Sequence, residues 1–245
     1  MLANDIHFER VGHAYLIAGP HQIGKTTLAR TFAQALNCPE QVGQRPCGKC
    51  RICKLIANDR HPDVRLIEPQ ISSRGKASIK IDAIRELQRS LNLSAVEARY
   101  KVAIITQFDA ANLNAANAFL KTLEEPPRNV VLLLTASEAD ALLETIRSRC
   151  RTVTLRPLST PVIEEALLHR WQVAPDQAHL LAHLADGRLG WAVRASQEPE
   201  LLKTRQAQLS LLQEALTGSR VSRFALADKL ARKPEQLPPL LQTWL

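Results

Sequence analysis

Ala14-Tyr15-Leu16-Ile17-Ala18-Gly19-Pro20-His21-Gln22-Ile23-Gly24-Lys25-Thr26 is an apolar run of strand length that breaks at a glycine and completes the pattern G-x-x-x-x-G-K-[ST]. From Thr26 to Leu36 the apolar residues Leu28, Ala29, Phe32, Ala35 and Leu36 share one side of a helix. A strand, a glycine loop and a helix in that order make a phosphate cradle. Gly19 and Gly24 let the backbone curl until successive N–H groups face an anion, and the helix start adds unpaired donors and the positive end of its dipole. Lys25 is suited to reach the β- and γ-phosphates of ATP and the Thr26 hydroxyl to ligate Mg²⁺, with Thr27 counted beside them as nucleotide-binding. An empty loop carrying the same motif is the bland alternative.

Outward from this loop the same alternation continues. Val64-Arg65-Leu66-Ile67, Val102-Ala103-Ile104-Ile105 and Val130-Val131-Leu132-Leu133-Leu134 are apolar runs of strand length, separated by helical patterns at Ile81 to Leu91 and Leu113 to Leu123, and Arg151 to Leu155 offers a last strand. The pattern predicts an α/β domain over residues 1–157, with a parallel sheet covered on both faces and ligands at the carboxyl ends of its strands. After Pro157 the strand signals stop. Short helical patterns at Pro161 to Trp171, Asp176 to Ala185 and Leu189 to Ser196 make a small helical domain over 158–200. A longer helical stretch from about Glu200 to Leu216 begins a further segment over 201–245. The sequence stops in the apolar run Leu240 to Leu245, which is either covered by a partner or cut in mid-helix.

ATP hydrolysis needs an acidic residue at another strand end to hold Mg²⁺ and a further group to position water. After Val102 to Ile105 the sequence reads Thr106-Gln107-Phe108-Asp109, so the first two positions are neutral. Asp109 is a nearby carboxylate that would equally cap the following helix, and Gln107 retains the chemistry to orient a water. The expectation is a chain that binds ATP with little turnover of its own.

Cys38, Cys47, Cys50 and Cys53 offer soft ligands in one short window, with Gly43, Pro46 and Gly48 supplying turns for convergence. Such thiolates suit a structural, tetrahedral Zn²⁺ in an insertion at 38–53, while an iron–sulfur cluster, free thiols or a redox pair are the other readings. Lys49, Arg51 and Lys54 interleave the ligands and offset thiolate charge. Cys150 stands apart, and alternation with Val153 and Leu155 marks it as a buried small side chain.

Of 245 residues, 45% are hydrophobic and 23% charged, an ordinary globular composition that excludes fibrous and disordered architectures. No apolar run reaches the roughly 18 residues of a membrane span, and Met1 to Arg10 lacks a signal-peptide pattern, so the expected location is the cytoplasm, with no membrane partner. Lys and Arg outnumber Asp and Glu by 32 to 24, a net +8 that favours anionic partners, and the excess is spread along the chain. Aromatics at 4% argue against stacking platforms for single strands. Thr145-Ile146-Arg147-Ser148-Arg149-Cys150 holds two arginines that read as surface charge on composition, or as the cation that a neighbouring phosphoryl-transfer site lacks.

Taken together, His13-Ala14-Tyr15-Leu16 leading into the P-loop, the cysteine insertion, Ala116-Asn117-Ala118-Phe119-Leu120-Lys121-Thr122-Leu123-Glu124-Glu125-Pro126-Pro127 and Ser148-Arg149-Cys150 resemble, in order, the motifs of clamp-loader AAA+ subunits of bacterial DNA polymerase III, delta-prime type with its gamma/tau relatives. The resemblance covers most of residues 11 to 200. It implies an AAA+ P-loop domain with a zinc-binding insertion, a helical lid and a partial C-terminal collar. It also implies a hetero-oligomeric ring with gamma/tau and delta subunits that sets the sliding clamp on primed DNA, touching DNA through its backbone and the clamp indirectly.

By the same resemblance Gly19, Gly24, Lys25 and Thr26 match the nucleotide loop, Cys38, Cys47, Cys50 and Cys53 the zinc ligands, and Arg149 an arginine finger acting in trans on ATP held by the adjacent subunit. Thr106-Gln107 departs from the Asp-Glu pair of the motor subunits, and in Gly187-Arg188-Leu189-Gly190-Trp191 the position matching a nucleotide-sensing arginine is Trp191. Both departures imply a stator that lends Arg149 without hydrolysing ATP. The short segment before His13 and the missing collar imply a truncated sequence. The rivals are a gamma/tau-type motor ATPase, an unrelated P-loop phosphotransferase, and a zinc-stabilised scaffold that binds no nucleotide.

Overall fold

The structure is a computed structural model that describes residues 1–71, 77–232, 237 and 240–241. It divides into two compact units, Met1–Pro157 and Leu158–Leu245. In chain order the first unit holds α1 (Leu2–His7), β1 (Ala14–Ala18), α2 (Lys25–Asn37), α3 (Arg51–Ala57), β2 (Val64–Ile67), β3 (Gln70–Ile71), β4 (Ala77–Ser78), α4 (Ile81–Leu91), β5 (Lys101–Ile105), α5 (Leu113–Glu124), β6 (Val130–Ala136), α6 (Glu144–Arg147) and β7 (Arg151–Thr154). Five strands form one sheet in the order β2-β5-β6-β1-β7, every pair parallel, and β3 and β4 form a separate antiparallel ribbon.

Successive side chains of a strand point to opposite faces, and the central strands bury both. On one face Leu16, Ala103, Ile105, Leu132 and Leu134 pack with Ile84, Leu87 and Leu91 of α4 and with Ala115, Phe119 and Leu123 of α5. On the other, Tyr15, Ile17, Val102, Ile104, Val131 and Leu133 pack with Ala29, Phe32 and Leu36 of α2 and with Ile56 of α3. The result is a three-layer α/β domain, and the uninterrupted apolar runs of β1, β5 and β6 are the signature of strands covered on both sides. β1 lies inside the sheet between β6 and β7, and the loop after it emerges at the carboxyl edge, where open α/β folds bind their ligands.

The second unit is helical, with α7 (Thr160–Arg170), α8 (Pro175–Leu184), α9 (Leu189–Gln197), α10 (Pro199–Thr217) and α11 (Arg220–Ala231). Ile163, Leu167, Ala178, Leu181, Ala182, Trp191 and Ala192 form its core. The apolar run Leu240 to Leu245 lies outside the described residues except for Leu240 and Leu241. Among the described residues no helix is long and apolar enough to cross a membrane.

Candidate functional site

Three features of the first unit carry chemistry: the loop after β1, the cysteine insertion between α2 and α3, and the arginine before β7. The loop is tied to its neighbour strand by Gly19, whose N–H donates to the carbonyls of Ala136 and Ser137, both at 3.2 Å. Gly24 adopts φ +109° and ψ 16° and opens α2, whose first turn has no side-chain cap and no acidic residue. Its free N–H groups therefore face outward as an anion site. Lys25 is 8% exposed, and its Nζ donates to the carbonyls of Gly19 at 2.5 Å and Pro20 at 2.8 Å. The lysine is thus folded onto its own loop. Burial pulls its pKa below the ordinary lysine value, against an opposing pull from the Asp109 charge. Thr26 is half-buried and Thr27 exposed.

At the end of β5 both neutral residues are engaged by the fold. Thr106 is 4% exposed, and both its N–H (2.9 Å) and its hydroxyl (3.3 Å) donate to the Ile67 carbonyl. Gln107 is exposed in a left-handed conformation, φ 48° and ψ 53°, its N–H donating to Thr135 Oγ1 at 3.0 Å. Of the two roles open to Asp109, helix capping falls to another residue: Asn112 caps α5, its Oδ1 accepting from the Ala115 N–H at 2.8 Å. Asp109 lies in a 3-10 turn at Phe108–Ala110, too early to reach that helix start. Its Oδ2 accepts from the N–H (3.1 Å) and hydroxyl (2.5 Å) of Ser137, while Oδ1 is buried with no partner among the described residues. A buried carboxylate oxygen without a donor, on a residue whose charge acts on Lys25, suits an acceptor awaiting a cation or its water.

The Sγ atoms of Cys38, Cys47, Cys50 and Cys53 lie within 4.8 Å of one another. Tetrahedral zinc with Zn–S near 2.3 Å sets its sulfurs about 3.8 Å apart, so a small contraction fits the ion. Cys38 and Cys53 are buried at 2% and 0% exposure. The turns come from Gly43 at φ +100° and Gly48 at φ +68°, and then from α3, which starts within the ligand set. The Cys50 N–H donates to Cys47 Sγ and the Cys53 N–H to Cys50 Sγ, each at 3.3 Å, an arrangement that stabilises thiolates around a metal. N–H donors from Cys50 and Lys49 bring the Cys47 thiol down to about 7, whereas burial pushes Cys53 up to about 12. Arg51 does not serve the thiolates alone: it pairs with Glu97 at 2.5 Å.

Arg149 and Arg147 have different surroundings. Arg147 is neutralised by Asp140 and Glu144. Arg149, its side chain 36% exposed, sets Nη1 on the Thr145 carbonyl and Nη2 on Glu124 Oε1, both at 2.8 Å. Its position along the sheet follows from register: Arg151 is level with Tyr15, and Thr154 with Ala18 just before the glycine loop. At about 3.3 Å per residue, Arg151 stands about 13 Å along the strands from the level of Gly19, and Arg149 lies in the turn just before it, at the opposite, amino-terminal end of the strands from the glycine loop. Burial raises the Cys150 thiol to about 12, as suits an inert side chain. In the helical unit Trp191, 7% exposed, belongs to the core and carries the Arg205 guanidinium 4.9 Å from its ring centroid.

Two participants were missed by reading the chain alone. Ser137 binds Asp109, and Glu124 binds Arg149. Glu124 had a signal of its own, a carboxylate on the last turn of a helix, where the dipole favours cations. Ser137 had none.

A family model described as DNA polymerase III, delta subunit matches residues 1–159. The chain is 36% identical over 211 residues to DNA polymerase III subunit delta' of Bacillus subtilis, covering 86% of this chain and 62% of the relative. It is 41% identical over 138 residues to subunit delta' of Pseudomonas aeruginosa, covering 56% and 41%. With DNA polymerase III subunit tau/gamma of Haemophilus influenzae it shares 39% identity over 168 residues, covering 69% and 24%. The chain therefore spans less than two thirds of the length of these relatives. Among solved structures, the RuvB Holliday junction branch migration motor of Thermotoga maritima aligns with TM-score 0.57 at 16% identity over 94% of this chain and 78% of that one, a likeness of fold alone.

Proposed function

The chain belongs to the DNA polymerase III delta subunit family, and on that footing we propose that it is a delta-prime-like subunit of the clamp loader, helping to place the sliding clamp on primed DNA. In this reading it sits in a ring with gamma/tau and delta subunits, binds ATP weakly or without turnover in its own P-loop, and lends Arg149 to the ATP site of the adjacent subunit. Residues 158–200 serve as the lid and 201–245 as the start of a collar. Zinc holds the insertion at 38–53 as a structural ion.

The observation that carries this reading is the separation of Arg149 from its own glycine loop. An arginine side chain is shorter than the separation of about 13 Å that the register sets between the start of β7 and the glycine loop, which supports a phosphate contacted by Arg149 belonging to another chain. Weak turnover in cis is supported by Thr106 and Gln107, since neither supplies the carboxylate that holds Mg²⁺ or polarises water. The motor reading retains one support, the intact cradle with the Asp109 charge acting on Lys25. When nucleotide is bound, Mg²⁺ would offset phosphate charge. The chain's own part is then the N–H donors of the loop, the Lys25 ammonium, the Thr26 hydroxyl and the Asp109 carboxylate.

ATP turnover by the loader assembled with gamma-type ATPase subunits, clamp and primed DNA separates the two. Arg149→Ala is expected to lower turnover at the adjoining site by a factor on the order of 10³, with little change for Lys25→Ala. Loss of turnover with Lys25→Ala, and none with Arg149→Ala, overturns the stator in favour of a motor.

A further inference from the structure

We infer that Glu124 is the positioning residue of Arg149, an inference that rests on the finger reading of Arg149 proposed above. Glu124 ends α5, and Glu125 follows it directly. A carboxylate there faces the negative end of the helix dipole and, on local electrostatics alone, is misplaced. What compensates is Arg149 Nη2 at 2.8 Å, a contact across the chain from α5 to the end of α6. The opposite edge of the same guanidinium is fixed by Nη1 on the Thr145 carbonyl, an acceptor that the four-residue α6 leaves unpaired within the helix.

Two anchors on different nitrogens fix the plane of a guanidinium as well as its place, because its five donors form a rigid fork. Nη1 also reaches Ser148 Oγ at 3.5 Å, the long limit of a hydrogen bond, and the other N–H groups are left for an anion on a side chain that keeps 36% of its surface exposed. The contrast with Arg147 is direct: two carboxylates hold that residue, and it has no comparable freedom to meet a phosphate. Nor does stability explain the Glu124 contact. Glu124 is 50% exposed, a setting in which ion pairs contribute little, and the dipole term acts against it. An acidic residue held where it gains the fold nothing, and bonded to the proposed finger, has orientation of that finger as its effect.

The inference separates function from stability. Five forms of the full chain would be assembled with the gamma-type ATPase subunits: wild type, Glu124→Gln, Glu124→Asp, Arg149→Ala and the double variant Glu124→Gln/Arg149→Ala. ATP hydrolysis at the adjoining site and thermal midpoints are measured for each. Glu124→Gln is expected to lower turnover by about two- to fivefold, the range an exposed ion pair can supply, with an unchanged midpoint and unchanged complex assembly. In the Arg149→Ala background it should have no further effect, since Glu124 acts only through that guanidinium. Glu124→Asp, which keeps the charge, should recover part of the loss. Turnover equal to wild type, or raised because Glu124 instead restrains Arg149, overturns the inference, as does a loss that persists in the double variant. If Arg149→Ala itself leaves turnover unchanged, the finger reading falls first and the inference with it.

Discussion

Replacing Gly19 by alanine places a Cβ 2.7 Å from the carbonyl oxygen of Leu155, 3.2 Å from the Leu155 Cβ and 3.4 Å from Ile23 Cγ2, at φ +152°. The nearest obstacle is backbone that cannot swing aside, because the Leu155 N–H is bonded to the Ala18 carbonyl at 2.8 Å. Relief has to come from Gly19, whose own N–H is bonded to Ala136 and Ser137. Gly24 is the natural control. It too has positive φ, +109°, but a Cβ there meets nothing within 4 Å, so alanine costs only the conformation. That conformational term is about 1–2 kcal/mol for an L-residue. The crowding at Gly19 adds about 1–3 kcal/mol, as overpacking does in a core. At about 2–4 °C per kcal/mol for a chain of this size, Gly24→Ala should melt roughly 2–8 °C below wild type and Gly19→Ala roughly 4–20 °C below. Thermal melts, with hydrogen exchange at the β1 amides to isolate the α/β unit, measure the difference. A fluorescent ATP analogue should bind both variants more weakly than wild type. A Gly19→Ala protein as stable as Gly24→Ala would refute the reasoning, since it would mean that the edge next to the loop yields freely.

The insertion should hold one tightly bound zinc ion per chain by elemental analysis; Cys53→Ser should lose it and lower the melting midpoint, because Cys53 is fully buried at the start of α3. With Cys53 near 12 the thiol is protonated at neutral pH, and with Cys47 near 7 that thiol is partly so. Zinc uptake therefore releases protons and weakens as pH falls, which calorimetry in buffers of different ionisation enthalpy detects; iron in place of zinc, or pH-independent uptake, counts against this assignment. Asp63 is 2% exposed, and burial alone would raise its pKa, but the N–H groups of Glu97, Val96 and Ala98 outweigh that and hold it below the usual carboxylate range. Its stabilisation is thus full above the unfolded value near 3.9 and is lost as pH falls through the lower folded value. Asp63→Asn should cost about 2–4 kcal/mol at pH 7 in denaturant unfolding and flatten the loss below pH 4, and an unaltered acid limb would exclude the carboxylate as its source.

What could be read from the chain, and what could not, divides along the range of the interactions involved. β1, β5 and β6 are buried on both faces, so each is a continuous apolar run visible without partners, and α4 and α5 repeat their apolar residues at helical spacing. The glycine loop is contiguous, and the cysteines are close in sequence, so the residues that form each cluster could be named before their geometry was known. α3 was hidden for a specific reason. Ile52, Cys53 and Ile56 have helical spacing, but a cysteine counted as a metal ligand is not also counted as an apolar contact, although Cys53 is both a candidate ligand and a residue with no exposure. β3 and β4 left no pattern because the ribbon is two residues on each strand and Ile71 is 77% exposed. α11 was invisible for a related reason: Val221 and Phe224 are exposed, and Leu226 is its one buried residue, so no apolar stripe marks it.

The contacts that give the proposed site its directionality belong to neither class. Arg149 with Glu124 and Asp109 with Ser137 join residues from different elements: the pairing of β5 with β6 brings the second pair together, and the packing of α5 against α6 the first. Composition cannot anticipate such neighbours. It can register their cost: Glu124 breaks the dipole rule at a helix end, and Asp109 fails to cap the helix that follows it although its residue type is suited to capping. Glu124 sits in a helix that was otherwise legible and Asp109 in the turn that follows a legible strand, and both resolve into contacts with residues at which nucleotide chemistry was expected or beside them. A local rule broken in or beside a well-formed element is therefore where a distant partner should be sought, and in this chain that criterion separates Glu124, the last residue of α5, from Glu125, which follows the helix and makes no ion pair with the proposed finger.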